Sequence, residues 1–191
     1  MPIRETDASL APVLAGAANP DSRSVALEQE IISLFDQFRE RLLRYVLSFG
    51  LPMPDCEEIA QEVFLALFQH LRRGKSRENL RGWMFRVAHN LALKRRLGMN
   101  RSPEIWSEPG AAEELAADPA PNPEDQALQT ETRERLLAVV EALPELDRRC
   151  LALRAEGLRY REIAEVLEMS LGAVSISLAR SLARMTRAAE R

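Results

Sequence analysis

Leu80–Leu97, LRGWMFRVAHNLALKRRL, decides how the rest of the chain is read. At 3.6 residues per turn, Leu80, Trp83, Met84, Val87, Ala88 and Leu91 align, which predicts an amphipathic helix with that stripe turned inward. Arg81, Arg86, His89 and Arg96 fall opposite, with Phe85 and Leu93 among them. Arg72, Arg73, Lys75 and Arg77 lead into the stretch, and Lys94 and Arg95 extend it. From Arg72 to Arg96, nine Lys and Arg stand against one acid, Glu78. A charged helix face is commonly just a solvated one. A run this lopsided, with an aromatic on the charged side, points instead to a surface for a polyanion.

The chain is long enough, at 191 residues, for one ordinary domain or two small ones, and its 46% hydrophobic content suffices for real cores. Net charge is only −3, so the basic stretch must be offset elsewhere. Cys56 and Cys150 lie far apart with no CxxC pattern, which suits reduced, buried thiols. With His70 and His89 they have no metal-site spacing, so neither a metal nor a cofactor is expected. No apolar run approaches the ~20 residues that span a bilayer. Arg4, Glu5 and Asp7 before a weak apolar run make a poor signal peptide. A cytoplasmic protein is the expectation.

Outward from the basic stretch, residues 1–26 are rich in Ala, Pro and Ser and are expected to form a disordered leader. From about Leu27, the positions Ile31, Leu34, Phe35, Phe38, Leu42, Val46 and Phe49 recur at helical spacing until Gly50, Pro52 and Pro54 end the pattern. Asp55, with Glu58 three residues on, reads as the N-cap of a second helix running to about Leu71. Its inward face is Ile59, Val63, Ala66, Leu67 and His70. Glu58, Gln61, Glu62 and Leu65 face out, and Leu65 is either a lone surface leucine or the centre of an acid-rimmed docking patch. Asn79 is placed to cap the basic helix.

Residues 98–122 change character, with Pro103, Pro109, Pro119 and Pro121 and many acids, and read as a flexible acidic linker. Its sign permits a self-masking contact with the basic helix. A second unit, 123–191, starts at a helix from Pro123 with Leu128, Leu136, Leu137, Val140 and Leu143 apolar, closed by Pro144. The next helix, to Glu156, turns Leu146, Cys150, Leu151 and Leu153 inward. Tyr160 to about Leu167, a turn at Glu168 and Met169, and a Ser170-capped helix then form a helix-turn-helix layout, for which a plain helical hairpin is the alternative. Val174, Leu178, Leu182 and Met185 are expected inward; Ala173, Ile176, Ser177, Arg180, Arg184 and Arg187 outward. Arg180 has the reach for a guanine and Ile176 or Ala173 for a thymine methyl, whereas Arg184 and Arg187 suit phosphates.

Together these segments resemble RNA polymerase sigma factors of the extracytoplasmic-function group. DCEEIAQEVFLALF is similar to the segment that docks on the polymerase, LRGWMFRVAHNLALKRR to the one that engages the minus-ten element, and LPELDRRCLALRAEGLRYREIAEVLEMSLGAVSISLARSL to the minus-thirty-five-binding domain. The resemblance implies an all-α chain of two small helical domains, residues 27–97 like sigma region 2 and 123–191 like the region 4 helix-turn-helix. It implies that Glu58, Gln61, Glu62 and Leu65 contact core RNA polymerase. Arg73, Lys75, Arg77, Asn79, Arg81, Arg86, His89, Asn90 and Arg96 would engage minus-ten DNA, and Ala173, Ser175, Ile176, Ser177, Arg180 and Arg184 minus-thirty-five DNA. Promoter recognition, help with melting, and an anti-sigma factor as partner follow from it. Such a protein is not an enzyme, and no phosphate-binding Gly loop or nucleophile–base pairing suggests otherwise. One departure stands out. Family recognition helices resemble V-K-S-R-L-H-R-A, where this chain has Val174-Ser-Ile-Ser-Leu-Ala-Arg-Ser181, poorer in positive charge. A sigma-like adaptor whose second unit binds a protein more than DNA is therefore the alternative.

Overall fold

The structure, a computed structural model, describes residues 20–99 and 123–190, so most of the expected leader and linker lies outside the described residues. These residues are helical: α1 (Pro20–Leu47), α2 (Met53–Arg72), α3 (Leu80–Met99), α4 (Pro123–Glu141), α5 (Glu145–Ala155), α6 (Tyr160–Leu167) and α7 (Leu171–Ala189), with no strand among them. The all-α expectation holds. Helix α1 begins ahead of the expected Leu27, and α3 carries Gly98 and Met99 that were expected in the linker.

Helix α1 stops where Gly50 takes φ +74°, a left-handed conformation that costs glycine little. Helix α2 then starts earlier than expected. Pro52, extended at φ −60° and ψ 150°, holds the N-cap position, with Met53 and Pro54 opening the helix where a missing N–H is harmless. Asp55 is therefore no cap. It lies in the first turn, and its carboxylate accepts from Arg95 at 2.6 Å.

Helices α1, α2 and α3 pack on one another. Their core is Leu42, Tyr45, Val46 and Phe49 from α1, Cys56, Ile59, Val63 and Leu67 from α2, and Met84, Phe85, Ala88 and Ala92 from α3. The α3 stripe is rotated from the expected one. Phe85 is fully buried and His89 nearly so, while Leu80, Trp83, Val87 and Leu91 are half-buried. The reason is that Phe85 and His89 meet Tyr45 and Phe49 of α1, while α6 packs on a neighbouring strip of α3, which is thus dry on more than one side.

In the second unit α4, α5 and α6 gather on α7. Leu143, Cys150, Leu153, Leu158, Ile163, Val166, Val174 and Leu178 are buried. Three expectations fail here: Leu146 and Leu182 are about half exposed, and Ser177 is buried. Ser177 and Ser181 are small enough to sit under the helices crossing α7, and each hydroxyl has a partner, Asp147 Oδ1 at 2.8 Å and the Ser177 carbonyl at 2.9 Å. The turn between α6 and α7 is built on Glu168, left-handed at φ 54°, and Ser170 caps α7 by accepting the Ala173 N–H at 3.1 Å. The buried residues of the two units form one continuous cluster.

Candidate functional site

The start of α3 is a tight local device. Asn79 is left-handed at φ 52°, a conformation asparagine tolerates, and its Oδ1 accepts the Gly82 N–H at 3.1 Å. A Cβ on residue 82 would lie 2.5 Å from Asn79 Nδ2, so the cap needs glycine there. Upstream, Arg73, Lys75 and Arg77 are exposed, and Arg77 pairs with Glu30 of α1 at 3.2 Å. Asn90 and Arg86 are exposed, and Arg81 and Arg96 are half-buried. These positions lie along α3 and the turn before it.

His89 does not belong to that face. It is turned into the first unit, with Nδ1 2.7 Å from the Tyr45 hydroxyl and its ring edge-on to Phe49. Burial, aided by the Arg149 charge, pushes its pKa down to about 4, so the ring is neutral at pH 7.

Acids from the second unit meet the basic face. Arg81 donates to Glu162 at 2.6 Å, Arg86 to Glu168 at 3.1 Å and Arg96 to Glu145 at 2.5 Å. Asn79 Nδ2 reaches Glu165 at 3.3 Å. Beside them Arg44 and Arg41 of α1 flank Glu156, which is 7% exposed. Arg149 of α5 crosses into the first unit: it donates to the Ser48 carbonyl at 2.9 Å and the Ser48 hydroxyl at 3.1 Å, and its guanidinium carbon lies 3.3 Å from the Phe49 ring centroid. The self-masking contact that the linker's sign permits lies outside the described residues; the second-unit acids seen on α3 come from α5, α6 and the turn after α6. Sequence reading missed them, although the recurrence of Glu162, Glu165 and Glu168 at every third residue was a usable signal.

On α2 the outward face is as expected: Glu58, Gln61 and Glu62 are exposed and Leu65 is 58% exposed. Arg95, between Asp55 and Glu58 (2.9 Å), ties that face to the end of α3. On α7, Ser175, Ile176, Arg180 and Arg184 are exposed and Ala173 is half-buried. Arg180 is held side-on by buried Asp147, through Nε at 3.0 Å and Nη2 at 2.8 Å. The Arg180 hydrogen bonds keep the Asp147 carboxyl below its ordinary range.

A sigma-70 region 2 model matches residues 34–101, and a sigma-70 region 4 model matches residues 133–185. The ECF RNA polymerase sigma-E factor of Escherichia coli K12 is 28% identical over 134 residues, which are 64% of this chain and 68% of that protein. The chain belongs to the extracytoplasmic-function sigma factors. Another relative, named "Probable RNA polymerase sigma factor RfaY" in Xanthomonas campestris pv. campestris, is 34% identical over 128 residues, 66% of this chain. The matched part is about a third (32%) of that protein's length. The structure of CnrH in complex with the cytosolic domain of CnrY has the same fold, with a TM-score of 0.57 and 20% identity over 86% of this sigma factor and 92% of CnrH. Among the described residues no single helix is long and apolar enough to cross a membrane, and no three His, Cys, Asp or Glu gather as a metal group would require.

Proposed function

We propose that this sigma factor binds core RNA polymerase in the cytoplasm, directs it to a subset of promoters and helps to open the start site. The observation that carries the reading is the separation of two unlike surfaces on adjacent helices of one unit: an exposed leucine ringed by Glu58, Gln61 and Glu62 on α2, and a basic row on α3 and the turn before it. An apolar centre with an acidic rim suits a basic protein surface. The basic row suits phosphates, and the turn at Arg73–Asn79 is where an unstacked minus-ten base would be received, offsetting the energy of strand separation. His89 supports this surface from inside, through Tyr45.

On α7 we assign Ser175, Ile176, Arg180 and Arg184, with Ala173 beside them, to minus-thirty-five DNA. Ser177 contributes by holding Asp147 rather than by touching a base. An anti-sigma partner is part of the proposal, supported by the likeness to CnrH, whose structure holds the cytosolic domain of CnrY. The adaptor reading has no structural observation in its favour. The test is in vitro transcription with purified core polymerase together with a core pull-down. Gln61→Ala with Glu62→Ala should weaken core binding and leave the circular dichroism spectrum unchanged, since both side chains are exposed. Unaltered affinity removes the docking assignment, and failure of both assays for the parent chain removes the function.

A further inference from the structure

The joint between the units has the build of a specific interface rather than of two bodies in passing contact. Its centre is Arg149, with a side chain 4% exposed. Nη1 donates to the Ser48 carbonyl and hydroxyl and the guanidinium lies on the face of Phe49, all in the first unit. Nη2 goes to Glu145 of its own helix, and Nε is buried without a partner among the described residues. A guanidinium is costly to take out of water unless its donors and its face are met. If the units swung independently, Arg149 would have only Glu145 of its own helix, at 3.1 Å. Around this centre runs a charged rim in which Glu162, Glu168 and Glu145 each hold one arginine of α3, while Glu156 sits between Arg44 and Arg41. Arg81 commits both Nε and Nη2 to Glu162, so the same guanidinium edge cannot also grip a phosphate.

We propose that the free chain is self-closed: α6 and the start of α5 take the place of nucleic acid on α3, and Arg149 is the latch. The proposal rests on the nucleic-acid reading of the α3 face given above. Closure engages Arg81, Arg86 and Arg96 of that face and leaves Arg73, Lys75 and Arg77 of the turn before it, as well as Glu58, Gln61, Glu62 and Leu65 of α2, exposed. Polymerase therefore has a grip on the closed form, whereas DNA reaches the α3 arginines only on opening. The affinity of the free chain for DNA is reduced by the fraction of molecules that are open.

The test uses the full chain and a short, fluorescein-labelled single-stranded DNA of mixed sequence at low salt, with small-angle scattering in parallel. Arg149→Ala should enlarge the radius of gyration and tighten DNA binding about tenfold, the gain expected if the parent is open in roughly one molecule in ten. That variant loses a positive charge, so tighter binding to a polyanion cannot come from bulk electrostatics. Glu162→Gln with Glu168→Gln should act in the same direction, beyond a control of equal charge change on α4, Glu134→Gln with Glu141→Gln. If Arg149→Ala fails to fold by circular dichroism, the glutamine pair and its control decide. No expansion and no gain in affinity overturns the closed state. Expansion without any gain in affinity leaves closure standing but overturns the DNA reading of α3, and the masking with it.

Discussion

Replacing Asn79 tests whether the entry to α3 is the precise device it looks like. Two features depend on this residue, its left-handed backbone at φ 52° and the bond from the Gly82 N–H to its Oδ1 at 3.1 Å. Losing a side-chain cap costs about 1 kcal/mol, and an alanine held left-handed adds about 1–2 kcal/mol. Asn79→Ala should therefore cost about 2–3 kcal/mol. Asn79→Gly, free of the backbone term and still an acceptable N-cap, should cost a few tenths of a kcal/mol, roughly. At roughly 2–4 °C per kcal/mol for a chain of this size, thermal melts followed by circular dichroism should place the alanine variant about 5–10 °C below the parent and the glycine variant close to it. Gly82→Ala completes the set. Its Cβ would lie 2.5 Å and 2.8 Å from the Asn79 amide nitrogen and oxygen, so that flexible side chain swings away and the cap is lost. Alanine's helix preference, about 1 kcal/mol over glycine, offsets the loss and leaves stability near that of the parent. Equal destabilisation by Asn79→Ala and Asn79→Gly would refute the backbone argument. A Gly82→Ala variant as unstable as Asn79→Ala would refute the cap accounting.

Other outcomes follow from the same geometry. His89 has its pKa lowered to about 4 on folding, below the 6.5 of the free side chain, so the unfolded chain binds the proton more readily. Stability should be intact well above pH 6.5 and fall by about 3 kcal/mol by pH 4; urea titrations of the parent and His89→Gln across that range should show the slope lost in the variant. The lowered Asp147 pKa adds a second loss at lower pH, as the carboxylate is protonated below its ordinary 3.8. Asp147→Asn should release Arg180 and lower the ratio of specific to non-specific promoter binding by holoenzyme, measured by competition footprinting, with core affinity unchanged. Phe85→Ala, emptying a fully buried site, should cost about 3–5 kcal/mol in urea unfolding.

Where a helix has a single dry face, periodicity in the sequence locates it. On α2, Ile59, Val63 and Leu67 are buried and Glu58, Gln61, Glu62 and Leu65 exposed, as their spacing indicates. Helix α6 spans Tyr160–Leu167 and Ser170 caps α7, both readable from local chemistry. The reading fails where a helix is covered twice. Phe85 and His89 lie among arginines in sequence, yet they point into the first unit while α6 covers the neighbouring strip of α3. It fails again at Ser177 and Ser181, because a serine that is satisfied by Asp147 or by the turn before it buries without leaving any apolar signal. The contact of Arg149 with Ser48 and Phe49 joins residues about a hundred positions apart, and no local pattern announces such a meeting.

Each unit carries one cysteine, Cys56 on α2 and Cys150 on α5, and both are completely buried. Burial pushes the Cys56 thiol up to about 11, with Asp55 and Glu57 adding to it, and raises Cys150 as well. Neither sulfur offers a thiolate to peroxide or to an alkylating reagent while its helix stays packed. The folded chain is thus deaf to oxidants through its cysteines. The same silence makes the pair a built-in stopwatch: the rate at which each thiol becomes labelled, read by peptide mass, times the opening of its own unit separately, with no probe to install.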